Sequence, residues 1–232
     1  MATAAVEAQR CGQKLKETRE RILDAAEALF VEHGYEATST RMVTGAAQVN
    51  LAAVNYHFGS KEDLMRAVIR RRMAALNEEW LRVLDQAEAK AKTKGSPVKP
   101  SVIVDAFFGT PLRIAAGLPG AEGRTFLHLV GRTMTEPSAF IRNFLATEYA
   151  RVLERYKRAL FKALPGVPKA EIVWRFHFML GATSYAIAGT DSVQLVTDWQ
   201  MPAGENLAAD EKLLPRLMAF LLGGLRAPLH QP

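Results

Sequence analysis

Apolar residues recur at three- and four-residue spacing through most of the chain, and no stretch alternates in the two-residue rhythm of a strand. Ile22, Ala26, Leu29 and Phe30 form the first stripe, with Arg19, Glu20, Glu27 and Glu32 off it. This predicts a core helix over 18–33, with Thr18 as N-cap and Gly34 as stop. Residues 1–17 have no apolar period and read as a flexible arm. Two short helices follow. The first spans 40–47, with Val43, Ala46 and Ala47 inward. The second spans 51–57, capped by Asn50, with Val54 and Phe58 facing the core. Gln48 and Val49 make the turn between them. Ser60 and Asp63 form a capping-box variant that opens a long helix over 61–92. Leu64, Val68, Met73 or Leu76, Trp80 and Leu84 trace a drifting stripe along it.

Residues 93–100, TKGSPVKP, are the clearest loop. Beyond it the pattern predicts helices over 101–116, 122–135, 138–164, 168–189 and 207–225. In the long 138–164 segment Phe140, Phe144, Tyr149 or Val152, Tyr156 and Leu160 point inward. A loop-rich insertion over 191–205 holds Trp199 and Pro202, and Pro215 kinks the last helix or marks its start. The expected fold class is all-α. A three-helix helix-turn-helix domain, 18–63, is joined by the long helix to a helical body within 64–232.

Composition adds bounds. With 49% hydrophobic and 23% charged residues the chain is globular in type, and 232 residues suffice for a small domain joined to a larger one. The net charge of +6 permits nucleic-acid binding without requiring it. Placement is more informative: residues 37–61 hold no Asp or Glu, although acids are common on either side. Residues 61–100 then carry ten Lys/Arg against six Asp/Glu, beginning with Lys61, Arg66, Arg70, Arg71 and Arg72. The three consecutive arginines read as a solvated face of the long helix. One cysteine, Cys11, excludes an internal disulfide and fits a reducing cytoplasm. There is no signal-peptide core and no run of about 18 apolar residues, so no membrane span is expected.

An acid-free helix-turn-helix rhythm suggests a surface that meets phosphate, and an α-helix fits the major groove of B-form DNA. Ala52 and Ala53 let the second short helix approach closely, Asn55 can reach base edges, and Thr40, Arg41, Tyr56, His57 and Lys61 can reach phosphates. Residues 18–65 resemble the N-terminal domain of TetR-family transcription regulators, most clearly in ILDAAEALFVEHGYEATS and VNLAAVNYHFGSKEDL. The resemblance implies contacts to a double-stranded DNA operator from Thr40, Arg41, Asn50, Leu51, Ala52, Ala53, Asn55, Tyr56, His57 and Lys61. Gln48 stands where that family usually has glycine, so a left-handed backbone there strains it modestly. Residues 174–189, WRFHFMLGATSYAIAG, are similar to a segment of the PsrA-type members, which respond to long-chain fatty acids or their CoA esters.

The body suggests a pocket for a small apolar effector. Its candidate lining is Phe107, Phe126, Phe144, Trp174 and Phe178, with Arg132, His128 or His177 holding a polar head. Taken singly, each aromatic reads as core packing. The histidines have no spaced carboxylate or cysteine partner, so neither a metal nor a cofactor is expected. No nucleophile–base motif or phosphate loop is present, so no catalytic residue is assigned and an enzyme ranks last. Small residues from 181 to 189, with Gly223 and Gly224, permit close helix approach. With the resemblance, they favour a homodimer through a four-helix bundle of the last two helices. The expected function is a cytoplasmic, ligand-responsive repressor, released from a near-palindromic operator by an apolar effector, with fatty acids and acyl-CoA as candidates. The alternative is a helical lipid-binding or carrier protein without specific DNA binding.

Overall fold

The computed structural model describes residues 2–136, 138–188 and 213–229, and among these every regular element is helical. The chain divides into two units, Met1–Arg72 with Ser138–Phe140, and Met73–Pro137 with Ile141–Pro232.

The first unit contains α1 (Ala2–Ala37), α2 (Thr40–Ala47), α3 (Leu51–Phe58) and the opening turns of α4 (Lys61–Thr93). α1 begins at Ala2, not near Thr18, so the segment expected as an arm is helical backbone. Its alanine, glutamate, glutamine and lysine are strong helix formers, and an apolar period is not needed to make a helix. Thr18 therefore lies inside α1, and its hydroxyl donates to the Lys14 carbonyl at 2.9 Å. The expected stop at Gly34 is a kink, with φ 82° and ψ 173°, a conformation glycine reaches without a Cβ clash. The buried Thr38 hydroxyl donates back to the Gly34 carbonyl at 2.7 Å and secures the exit from the helix.

α1 packs on α2 and α3 around Ile22, Leu23, Ala26, Phe30, Val43 and Val54. Leu64, Met65, Val68 and Ile69 of α4 are fully buried, which places the division within α4 after Arg72. Four residues expected inward are not fully buried, Leu29 and Phe140 among them at half-burial. Ala46 is exposed, because a helix of two turns turns only Val43 and Ala47, four apart, to the core. Phe58 is half-buried under the Arg19 guanidinium, 5.3 Å from its ring centre.

The largest surprise in this unit is Glu27, which is 3% exposed. Arg72 Nε donates to both its oxygens at 3.0 and 3.1 Å, and Arg71 Nη2 donates to Oε2. Arg71 also reaches Asp24 at 2.8 Å and Glu20 at 3.3 Å. Of the three arginines expected on a solvated face, Arg71 and Arg72 instead clamp α4 to α1, while Arg70 is exposed. Burial works against the Arg71 charge, but the Glu27 and Asp24 carboxylates outweigh it and raise its pKa above the ordinary guanidinium value. Glu27→Ala strips the buried acceptor while Asp24 and Glu20 still serve Arg71. The expected loss is about 2–3 kcal/mol in chemical denaturation, less than for a fully enclosed pair.

The second unit holds the rest of α4, then α5 (Pro100–Val104), a π-helical turn (Asp105–Gly109), α6 (Thr110–Ala116) and α7 (Glu122–Thr135). It continues with α8 (Ala139–Glu148), whose first two residues belong to the first unit, α9 (Ala150–Ala163), α10 (Lys169–Ile187) and α11 (Leu213–Leu225). The expected helix over 138–164 is two helices bent at Tyr149, φ −104° and ψ 0°. Hydrogen bonding passes through the bend: Tyr149 N–H donates to the Leu145 carbonyl at 2.9 Å, and Leu153 N–H to the Tyr149 carbonyl at 3.0 Å. The bend brings Ile141 and Phe144 inward before it and Val152, Tyr156 and Leu160 after it. Gly189, the insertion over 191–205 and the start of the last expected helix lie outside the described residues.

An aromatic cluster fills this core. The Trp80 ring stacks on Phe107 with centroids 4.7 Å apart and planes 3° apart, and meets Tyr149 edge-on at 6.1 Å. Phe107 in turn touches Phe108, Tyr156 and Phe176, each at 5.0 Å. Trp80 Nε1 donates to the Phe107 carbonyl at 2.7 Å, and the Tyr156 hydroxyl donates to the Trp80 carbonyl at 2.8 Å. α7 and α10 approach so closely at Gly131 that a Cβ there would sit 2.7 Å from the Ala188 nitrogen. Buried Arg175 pairs with Glu171 at 2.8 Å and donates to the Leu225 carbonyl at 2.6 Å, capping the C-terminus of α11 from α10.

Candidate nucleic-acid interface and apolar cavity

The helix-turn-helix is built by three caps and one strained residue. Ser39 accepts from the Met42 N–H at 3.2 Å to start α2, and Asn50 Oδ1 accepts from the Ala53 N–H at 2.8 Å to start α3. At the head of α4, Ser60 Oγ accepts from the Asp63 N–H at 3.0 Å and donates to its carboxylate at 2.7 Å. That hydrogen bond, followed by the one from Arg66, lowers the Asp63 pKa. Gln48 ends α2 in the left-handed region, φ 53° and ψ 49°. Its N–H donates to the Gly45 carbonyl at 3.3 Å and the Val49 N–H to the Thr44 carbonyl at 3.0 Å, the paired bonds of a Schellman ending. The strain expected at this position is therefore real. Gln48→Gly should raise stability by about 0.5–1 kcal/mol, read as a shift in the denaturation midpoint, because glycine takes this backbone without its Cβ clash.

Val54 turns inward at 2% exposure, and the opposite side of α3 is open. Tyr56 is 73% exposed and Leu51 48%. Asn55 and Ala52 are exposed, whereas Ala53 and His57 are half-buried. The Tyr56 and His57 rings meet edge-on at 5.1 Å. On α2, Arg41 is exposed and Thr40 half-buried. Asn50 uses its side-chain oxygen for the cap, so its amide N–H groups are what it can offer a ligand. Lys61 is half-buried, with its ammonium 4.3 Å from the centre of the Tyr35 ring and donating to the Glu36 carbonyl at 3.3 Å. All ten predicted interface residues thus lie in α2, α3, the α3 cap and the head of α4, with neutral or basic character throughout.

The second unit contains a cavity of about 330 Å³. α4 and the π-helical turn supply Met73, Trp80 and Phe107 to its wall; α8, α9 and their bend add Leu145, Tyr149, Val152 and Leu153. Opposite stand Met134 and Thr135 of α7 with His177, Leu180, Gly181 and Ser184 of α10. Burial holds the Tyr149 hydroxyl protonated by raising its pKa far above the ordinary phenol value. Of the eight residues expected to line a pocket, Phe107 and His177 do so. Phe126 and Phe144 are buried elsewhere in the core, and His128 and Arg132 are half-buried away from the cavity, with Arg132 4.0 Å from Glu136. Trp174 and Phe178 face outward, 58% and 64% exposed, stacked on each other at 5.7 Å. The reason is that α10 is apolar on nearly all sides, and only one of its faces can turn to the cavity. Trp80, Met73 and Tyr149 were legible only as core positions. Nothing in the spacing marked them as cavity wall.

Comparison with known proteins gives matches to both parts of the chain. Residues 22–68 match the bacterial regulatory proteins of the tetR family, and residues 105–224 match the tetracyclin repressor-like C-terminal domain. Over 67 residues, 29% of the chain, it is 37% identical to the HTH-type transcriptional repressor AcnR of Corynebacterium glutamicum, a match spanning 36% of that protein's length. A longer match, 27% identical over 212 residues, links 82% of the chain to 89% of the HTH-type transcriptional regulator TcmR of Streptomyces glaucescens. The crystal structure of the probable transcriptional regulatory protein RHA5900 shares the fold, with TM-score 0.60 over 90% of this chain and 100% of that one at 16% identity.

Proposed function

The chain belongs to the TetR family of bacterial regulatory proteins, and from that premise we propose that it is a DNA-binding repressor relieved by a small apolar effector. The observation that carries the reading is the outward face of α3: Asn55 and Tyr56 are exposed on a capped, acid-free helix whose other side is anchored by Val54. Asn55 is proposed to read base edges, while Thr40, Arg41, Tyr56, His57 and Lys61 hold phosphates.

A homodimer supports this role. Trp174, Phe178 and Tyr185 on α10 and Phe220 on α11 are large and exposed, and Gly181, Gly223 and Gly224 have open space where a Cβ would stand. Such faces suit helix pairing with a second copy and would set two α3 helices on one two-fold site. The effector is proposed to enter the 330 Å³ cavity. α4 carries Met73 and Trp80 to that wall, and its opening turns belong to the first unit, so a guest that favours one placement of α4 shifts the reader. It does so only by binding the DNA-incompetent arrangement more tightly. Trp174 and Phe178, in the segment whose resemblance implied an acyl effector, face outward and do not line this cavity.

A mobility-shift assay with DNA from upstream of the protein's own gene tests the proposal. Binding that resists excess unrelated duplex, with two chains per site, is expected. Binding that unrelated duplex removes completely would leave only the carrier alternative.

A further inference from the structure

The cavity's wall restricts the chemistry of its guest. Among the described residues that line it there is no Asp, Glu, Lys or Arg. The α4, α8 and α9 side is thioether, aromatic and aliphatic apart from the Tyr149 hydroxyl at the bend, while Thr135, Ser184 and His177 bring hydroxyl and imidazole groups from the α7 and α10 side. Lys157 lines only an adjoining cavity of about 230 Å³, and its ammonium is already paired with Glu154. An anion placed in the main cavity would leave water without a lysine or arginine to meet it, and burial of an unpaired carboxylate is strongly unfavourable. The volume of 330 Å³ stands at the lower end of the ~300–1,000 Å³ typical of small-molecule sites. Ser184 is 2% exposed, and its hydroxyl donates to the Met134 sulfur at 3.4 Å, a weak acceptor that a ligand oxygen would replace with gain.

We propose that this cavity takes a compact, uncharged molecule with an apolar ring body and one hydrogen-bonding group, which Ser184 receives; this rests on the cavity being the effector site. The ring body lies against Trp80 and Phe107, with Met73 and Met134 adapting to its outline. Selectivity then comes from the absence of charge in the wall, and acids of the same skeleton are rejected.

Isothermal titration calorimetry on the full chain at pH 8 tests this with 2-naphthol and 2-naphthoate, two probes of one skeleton differing in charge. The neutral probe is expected to bind about tenfold or more tightly than the carboxylate. Ser184→Ala should weaken 2-naphthol by about three- to tenfold, the effect of one lost hydrogen bond. Thr135→Lys, at an exposed position on the cavity rim, should narrow the gap by giving the carboxylate a cation. Equal or tighter binding of 2-naphthoate to the unmodified protein would overturn the proposal, as would no heat from either probe at millimolar concentration. A failed titration beside an intact mobility shift rejects the ligand class alone. A failed shift beside a successful titration rejects the DNA reading alone.

Discussion

Trp80→Ala is expected to destabilise the second unit by about 4 kcal/mol, in the range for removing a large buried aromatic. Trp80 is 2% exposed and holds three relations at once. Its ring stacks on Phe107, its indole N–H donates to the Phe107 carbonyl, and it meets Tyr149 at the helix bend. Alanine removes the ring contacts, leaves the carbonyl of the π-helical turn without that donor, and opens one wall of the cavity. Trp80→Phe separates the parts. It keeps much of the ring packing and loses the hydrogen bond, so a smaller loss of about 1–2 kcal/mol is expected. Urea denaturation followed by far-ultraviolet circular dichroism measures both. A loss under about 1 kcal/mol for alanine would mean that the cluster does not organise this core.

Replacing Asn55, Tyr56 and Lys61 together by alanine is expected to reduce specific DNA affinity by about 100-fold or more while leaving the fold intact. A good contact to a base edge is worth about 1–3 kcal/mol, and each tenfold in affinity is about 1.4 kcal/mol. Lys61 adds a phosphate contact, so Lys61→Ala alone should weaken all sequences alike and flatten the salt dependence by about one unit of slope. None of the three is buried, so the melting curve should change little. Fluorescence anisotropy across a salt series, with circular dichroism as the folding control, reads each effect. Specific binding that survives the triple change would remove α3 as the reader.

The helix-turn-helix was legible in the sequence because its signals are local. Asn50 and Ser60 cap as their positions imply, and of the two candidates Ser39 and Thr40 it is Ser39 that caps α2. The left-handed backbone at Gln48 was anticipated through the family resemblance, which places glycine at that point of the turn. The Glu27 clamp was not. Its partners lie over forty residues away on α4, and helical periodicity assigns a charged residue off the apolar stripe to solvent. The bend at Tyr149 was hidden for a related reason, because the hydrogen-bond chain continues through it and no proline or glycine marks it. The cavity wall was least legible. An aromatic that packs core and one that borders a void carry the same pattern, and only the tertiary arrangement of α4, the π-helical turn and α10 separates Phe107 from Phe126. Trp174 and Phe178 show the converse, apolar residues that face outward on a helix that is apolar on most sides.

Selection of binding sites from a pool of random duplexes is the most direct test that this chain is a sequence-reading regulator. The account predicts enrichment of one near-palindromic site, with half-sites spaced so that two α3 helices enter the major groove about one helical turn apart. The chain carrying alanine at Asn55, Tyr56 and Lys61 should enrich nothing from the same pool. A pool that stays random after repeated rounds with the unmodified protein would contradict the account.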